Sequence, residues 1–587
     1  MKAGRPESFF NLLRRLGPAG VLLGLPALFM LLNRGKLHLP TAQWDGTVLE
    51  AVRAIGEGRF GSSPYIIHTP LYLYLLKAAD GLFSADLLVN SRVFNLGCYL
   101  LCGWLVWGLA KKLARPERAR AAALAAAALY FSSPLAVQGA MLLDLGDSSL
   151  VPLAALLYYC ALACSPAGLA GQALAAAAFA LNLWSKLIHS FFLALAAAAD
   201  ALLARREGRP PPDIRAVAAG LLLFLASWAA YSYSVLGEGY RWQPLEYFFK
   251  EMLFSYQKQQ VLDGLMELAT TKVINAVRIA LWTWPPLLLW GLRLRARGLG
   301  RGSERYFNLF ILLLVAATLV SKSTSNGFPK YHCAVLPLLC ALGGAYAAEE
   351  LEGGNRRRLL PRAALAGALC WAVILFTGDP FFTFNHTLKT AMIAGTTVLE
   401  PARLLFLELL PIAVVARVLF LTARRLFEKH FSAVFALALT GFLWQTAIGV
   451  LQGRAEYFTT YGYGTLGKAE AVAYVRDNIG GGAAFGPNEF AWEFDRAGVP
   501  FVRVSDFCQR SVPCVLEKVR DPRTAFLLFG QASNTVHQVR VFLKFTPELV
   551  GRKYAVSRIG DFWLYDLRPG AEPVDRPLRP KGPGPEL

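Results

Sequence analysis

Runs of about 20 apolar residues recur along this chain, and a helix of that length spans the ~30 Å hydrocarbon core of a bilayer. A backbone in lipid must satisfy its own polar groups, so a chain built of such runs folds as packed helices. Composition agrees: 55% of the 587 residues are hydrophobic and only 17% are charged, with a mean hydropathy of +0.40. A soluble chain of this length normally divides into several domains carrying more charge. The expected class is a polytopic α-helical membrane protein.

Thirteen spans are read, near 17–34, 89–110, 121–138, 148–164, 168–185, 187–203, 216–236, 274–291, 307–320, 332–349, 363–377, 399–422 and 431–451. No small-residue cleavage site follows the first run, so it is read as an uncleaved span rather than a signal peptide. The basic residues then test the count. Arg14 and Arg15, "KKLARPERAR" (111–120), "ARREGRPPPDIR" (204–215), "GLRLRARGLGRGSERYF" (291–307), "NRRRLLPR" (355–362) and "RRLFEKH" (424–430) all fall on one side. Positively charged loops face the cytoplasm, which puts the N-terminus inside and the C-terminus outside. The compact loops and this bias suggest a bacterial inner membrane. The net charge of +20 is thus a topology signal facing anionic lipid, and nucleic-acid binding is not expected.

The expected organisation is a membrane region over 1–451, with outer segments at 35–88 and 237–273. The second of these, "YRWQPLEYFFKEMLF", suits helices lying on the membrane surface. A small extracytoplasmic α/β domain over 452–567 and a Pro/Gly-rich disordered tail over 568–587 follow. Within that domain "GKAEAVAYVRDNI" reads as a helix, and "TAFLLFG", "HQVRVFLKF" and "DFWLYDL" as strands. Seven of the nine cysteines lie in or near apolar runs, where Cys is a packing residue. Cys508 and Cys514 stand six apart in the outer domain, where a disulfide and two free thiols are both open readings.

Ionisable groups at the membrane are costly, and the outer-face ones ask for a purpose. Asp45 follows the first span in "TAQWDG", with Trp44 beside it at the interface. His68 precedes the second span in "HTPLYLYLL". Asp144 and Asp147 open the fourth in "DLGDSSLVP". Lys186 and His189 occupy the turn "LWSKLIHS", and Lys330, Tyr331 and His332 the segment "FPKYHCAVLP". Each has an ordinary reading too: the acids as helix caps, Lys186 as a snorkelling side chain, Lys330 and Tyr331 as an interfacial anchor, the histidines as satisfied polar groups. Only their order along the chain is specific.

That order resembles the GT-C superfamily of membrane glycosyltransferases, in a layout similar to the protein mannosyltransferase and aminoarabinose transferase branch over residues 10–350. Two positions depart from the pattern. Gly46 stands where protein mannosyltransferases have Glu after the Asp, and "HTPLY" stands where the aminoarabinose branch has an acid and Lys-Pro-Pro. The resemblance implies an inverting transfer of sugar from a polyprenyl-phosphate donor to an acceptor hydroxyl on a lipid, glycan or protein. Asp45 is then the candidate general base. Lys186, Lys330 and Tyr331 are candidates to stabilise the departing phosphate. Asp144 and Asp147 are candidates to orient the acceptor or to hold a divalent metal ion, with His68, His189 and His332 in support. Metal-dependent and metal-free reactions are both open readings, and no Gly-rich phosphate loop stands in the right context: "GGG" at 480–482 follows a helix instead of opening one. The rival reading is a lipid-linked sugar flippase or transporter, against which stand the absence of an internal repeat and the gathering of acids at one surface.

Overall fold

The computed structural model describes residues 18, 20–42, 45–60, 68–164, 168–208, 214–236, 243–247, 283, 286–320, 332–351, 467–486, 490–503, 517, 521–530, 555–559 and 562–568. The first apolar run is a π turn (Gly20–Gly24), helix α1 (Leu25–Asn33, with Pro26 in its first turn) and a 3₁₀ turn (Arg34–His38). The outer segment after it holds two short helices, α2 (Asp45–Gly56) and α3 (Leu71–Ala79). Helix α4 (Leu87–Leu113) opens where the Asp86 carboxylate accepts the Leu88 N–H at 2.9 Å, and closes on Lys111 and Lys112, the charge order that suits a helix dipole.

The bundle continues through α5 (Ala119–Phe131), α6 (Pro134–Gly139), α7 (Leu150–Cys164), α8 (Leu169–Ser185), α9 (Leu187–Arg206) and α10 (Ile214–Tyr231). It resumes with α11 (Pro286–Arg297), α12 (Ser303–Val320) and α13 (Leu336–Leu351). Among the described residues, four stretches are long and apolar enough to cross a membrane: Gly20–His38, Leu87–Leu113, Leu187–Arg206 and Ile214–Val235. Three expected spans, 363–377, 399–422 and 431–451, lie outside the described residues, as do Lys330, Tyr331, Cys508, Cys514 and most of the second outer segment. One expected span is corrected. The run 121–138 is not one helix: α5 ends at Phe131 and α6 begins at Pro134. The Ser132 hydroxyl donates back to the Ala128 carbonyl at 2.7 Å, and Pro134 lacks the N–H that would continue the ladder.

Small residues let these helices approach closely. Gly344 of α13 faces Ala126 of α5, where an added Cβ would stand 2.5 Å from the Ala126 nitrogen. Gly103 of α4 lies under the Phe131 ring, where the same atom would stand 2.1 Å from a ring carbon. Since the Gly344 neighbour is backbone, the helix cannot yield as a side chain would. Gly344→Ala is expected to destabilise the bundle by about 1–3 kcal/mol, read as a lowered thermal midpoint in detergent.

The charged ends of the helices sort to two poles. At one pole Arg293 donates to Glu304 at 2.7 Å, Arg297 to Glu349 at 2.5 Å, and Arg305 to Glu207 at 2.8 Å and to Asp200. Arg118 donates to the Glu349 carbonyl. All of these but Asp200 and Glu349 come from the basic loops that the sequence placed on one side. At the opposite pole stand the starts of α2, α4, α7 and α9, with the candidate site.

The C-terminal residues form α14 (Lys468–Asn478), β1 (Ala483–Gly486), α15 (Ala491–Arg496), β2 (Phe501–Arg503), β3 (Thr524–Gly530), β4 (Ala555–Ile559) and β5 (Phe562–Asp566). The strand order is β2-β1-β3-β5-β4, with β1 parallel to β2 and β3, and β5 antiparallel to β3 and β4. Val475, Ala484, Phe490, Phe494, Phe526, Leu528, Phe562 and Leu564 are its buried core. The expected strand "HQVRVFLKF" lies outside the described residues.

Candidate active site

Asp45 begins α2 and is fully buried. Its Oδ1 accepts the Leu143 N–H at 3.0 Å, and its Oδ2 accepts the Ala42 N–H at 3.3 Å. The Arg92 guanidinium stands 3.7 Å from Oδ2. Burial pushes the Asp45 carboxyl up to about 6, against the opposing pull of Arg92 and the Leu143 N–H. A carboxyl held there is ionised at neutral pH and still basic enough to accept a proton.

Arg92 was not singled out from the sequence, and it organises the site. It is wholly buried on the second turn of α4, and Nη1 donates to the carbonyls of Lys36 (2.9 Å), Leu37 (3.0 Å) and Leu39 (2.6 Å). Nη2 donates to Pro40 at 3.1 Å. One side chain thus gathers the chain between the first span and Asp45, a task for which a five-donor planar fork is suited. Lys36, also buried, donates to Gln138 Oε1 at 3.0 Å. The "HTPLYLYLL" motif enters through Tyr72, whose hydroxyl donates to Asn95 Oδ1 at 3.0 Å. Asn95 Nδ2 in turn donates to the Leu142 carbonyl at 2.8 Å, beside the Leu143 amide that holds Asp45. A sequence signal existed: Asn90, Ser91, Arg92 and Asn95 open an otherwise apolar run, and polar groups there face the bundle interior.

Asp144 and Asp147 lie on the turn between α6 and α7, both buried. The negative charge of Asp144 acts on Asp45. Gly146 between them has φ +71°, and a Cβ there would meet the Tyr72 ring at 2.7 Å. Only glycine suits both the left-handed backbone and that approach. Lys186 is the extended residue that separates α8 from α9, and its Nζ stands 2.9 Å and 3.2 Å from the two Asp147 oxygens. His189 is buried on the first turn of α9 and His332 just before α13; Cys333 next to it feels the charges of both Asp147 and Asp144. His68 is half-buried before α3. The structure therefore brings Asp45, Asp144, Asp147 and Lys186 into one connected cluster.

A metal finds no set of three or more His, Cys, Asp or Glu side chains converging among the described residues. Asp147 is engaged by an ammonium on both oxygens.

The C-terminal sheet caps this pole. Trp492 of α15 packs into the core of α2 and α3, and the Arg53 guanidinium lies 4.5 Å over its ring. A Cβ on Gly46 would stand 3.0 Å from the Trp492 Cβ. The departure at Gly46 thus has a steric reason: a larger residue there meets the docked C-terminal helix.

The resemblance in the motifs is borne out at the level of fold. Two solved structures of one protein carry the likeness. The chain is similar to the crystal structure of ArnT, an aminoarabinose transferase, from Cupriavidus metallidurans in the apo state, with a TM-score of 0.53 at 13% identity over 94% of this chain and 98% of that one. It is similar to the same protein bound to undecaprenyl phosphate, with a TM-score of 0.51 at 14% identity over 94% and 99%. No protein-family model matches the sequence, and a search of curated proteins finds no match.

Proposed function

We propose that this protein is an inverting glycosyltransferase of the bacterial inner membrane. It moves a sugar from a polyprenyl-phosphate donor to an acceptor hydroxyl on a lipid, glycan or protein at the extracytoplasmic face. The observation that carries the reading is the Asp45 carboxylate: buried, fixed by two backbone N–H groups, balanced by Arg92 and adjacent to a second acid. A solvated helix cap needs none of that. The fold shared with a protein that was solved with undecaprenyl phosphate supports a lipid-linked donor.

In this reading Asp45 takes the proton from the acceptor hydroxyl as oxygen attacks the anomeric carbon and the phosphate leaves from the opposite face. Asp144 orients the acceptor. Lys186, aimed by Asp147, has three ammonium donors and stabilises the negative charge growing on the leaving phosphate; Lys330 and Tyr331 are assigned the same task. The basic pole faces the cytoplasm, and the C-terminal sheet covers the site from outside. The test supplies purified protein in detergent with a polyprenyl-phosphate sugar of known anomeric configuration. Transfer with inversion supports the reading, and flipping in vesicles without transfer supports the transporter instead. The rate should also fall about tenfold per pH unit below pH 6, where Asp45 is protonated. A flat profile through that window removes Asp45 as the base.

A further inference from the structure

Two C-terminal helices, α14 and α15, reach the turn before the candidate base at Thr41. Thr41 lies four positions before Asp45, and all three of its polar groups are held by two C-terminal side chains. Its N–H and its hydroxyl donate to Glu493 Oε1, at 2.7 Å and 2.5 Å. Its carbonyl and hydroxyl oxygen accept from Lys468 Nζ, at 2.8 Å and 3.0 Å. Lys468 and Glu493 stand 3.3 Å apart, and Lys468 is 1% exposed. Such a buried, charged arrangement is costly to assemble and holds its geometry once made. The next residue, Ala42, completes the link. Its N–H donates to Asp45 Oδ2 and its carbonyl accepts the Asp45 N–H at 2.7 Å. Glu493 also acts electrostatically on Arg92, the cation that faces Asp45.

We infer that Lys468 and Glu493 are positioning residues: they clamp Thr41 and so aim the Asp45 carboxylate. The C-terminal helices α14 and α15 then position the base without touching substrate. Other contacts hold the sheet on the bundle but miss this turn. Arg503 donates to Glu50 at 2.6 Å, Arg496 to Asp86 at 3.2 Å, and Arg53 to Asp495. Docking and aiming are therefore separable by mutation. The inference rests on the proposed role of Asp45, and the experiment keeps the two apart.

The variants are Glu493→Gln, the double variant Lys468→Met/Glu493→Leu, Thr41→Ser and, for docking alone, Arg496→Gln. The double variant removes both charges together, so no buried ion is left unpaired. Amide exchange of the 41–45 peptide is followed in each, beside sugar transfer by the full-length protein. Faster exchange in the first two is expected, with kcat lowered about 10- to 100-fold, as small misplacements of reacting groups cost, and KM for the lipid donor unchanged. Thr41→Ser keeps every contact and should match wild type, as should Arg496→Gln. Unchanged exchange in the double variant overturns the inference, whatever the activity of the chain. The same slowing in Arg496→Gln also overturns it, because docking alone would explain the loss. If wild type transfers no sugar, the reading of Asp45 fails, and the exchange arm still decides the clamp.

Discussion

Sugar transfer by the Asp45→Asn protein is expected to fall by about 10²–10⁴-fold, the contribution of a well-placed general base, while the protein stays folded. Asn is nearly the same shape as Asp, and its oxygen can still accept the Leu143 N–H that now meets Asp45. What it lacks is a lone pair basic enough to remove a hydroxyl proton. The stability side has a definite sign. Burial raises the Asp45 carboxyl to about 6, so the fold disfavours its charged form. The stabilising contribution of a raised acid is present below the ordinary carboxylate range and lost as pH rises through about 6. A neutral Asn relieves that cost at neutral pH, but its Nδ2 then faces the Ala42 N–H and Arg92, so the two effects oppose and the thermal midpoint there should change little. Turnover and thermal unfolding on the same preparation check both halves. A variant that transfers near the wild-type rate would end the assignment.

The second large effect is structural. Arg92→Met keeps the apolar stem of the side chain but removes every donor. Four carbonyls, of Lys36, Leu37, Leu39 and Pro40, then lose their common partner in a buried place. Truncating one member of a buried charged network costs about 3–5 kcal/mol, and each orphaned carbonyl adds to the strain. The expected result is a strong fall in thermal midpoint, with the turn between α1 and α2 the first part to exchange its amides. In the surviving folded fraction the acid limb of the rate profile should move above pH 6, since Arg92 is the cation that draws the Asp45 carboxyl down. Arg92→Lys offers a point charge without the fork and should recover only part of the loss. An Arg92→Met protein as stable as wild type would show that the carbonyls find other donors.

Asp45, Asp144, Asp147 and Lys186 were legible one by one, because an ionisable group beside an apolar run announces itself. Their pairing was not. That Asp147 meets Lys186, and that Asp45 meets a backbone amide 98 positions away, depends on how helices far apart in the chain dock. Arg92 escaped because it sits inside the expected span 89–110, where a lone Arg reads as an exception to the apolar pattern. Only its four carbonyl partners show what it does. Gly46 read as a departure from the family pattern, and became intelligible only with Trp492 against it. Lys468 falls in the expected helix "GKAEAVAYVRDNI", and Glu493 lies in a stretch to which no element was assigned. No periodicity signals that two charges more than 400 residues downstream will bury themselves around Thr41.

The chain alone dictated the class of the molecule, since the length of an apolar run and the charge of its flanking loops are local properties that a bilayer reads directly. It also marked the acids at one face. Folding in three dimensions supplied the rest: which acid is buried and held near a useful basicity, which cation balances it, and which distant segment aims it. Those properties arise from desolvation and from contacts between remote parts of the chain, and neither exists until the helices and the sheet have packed.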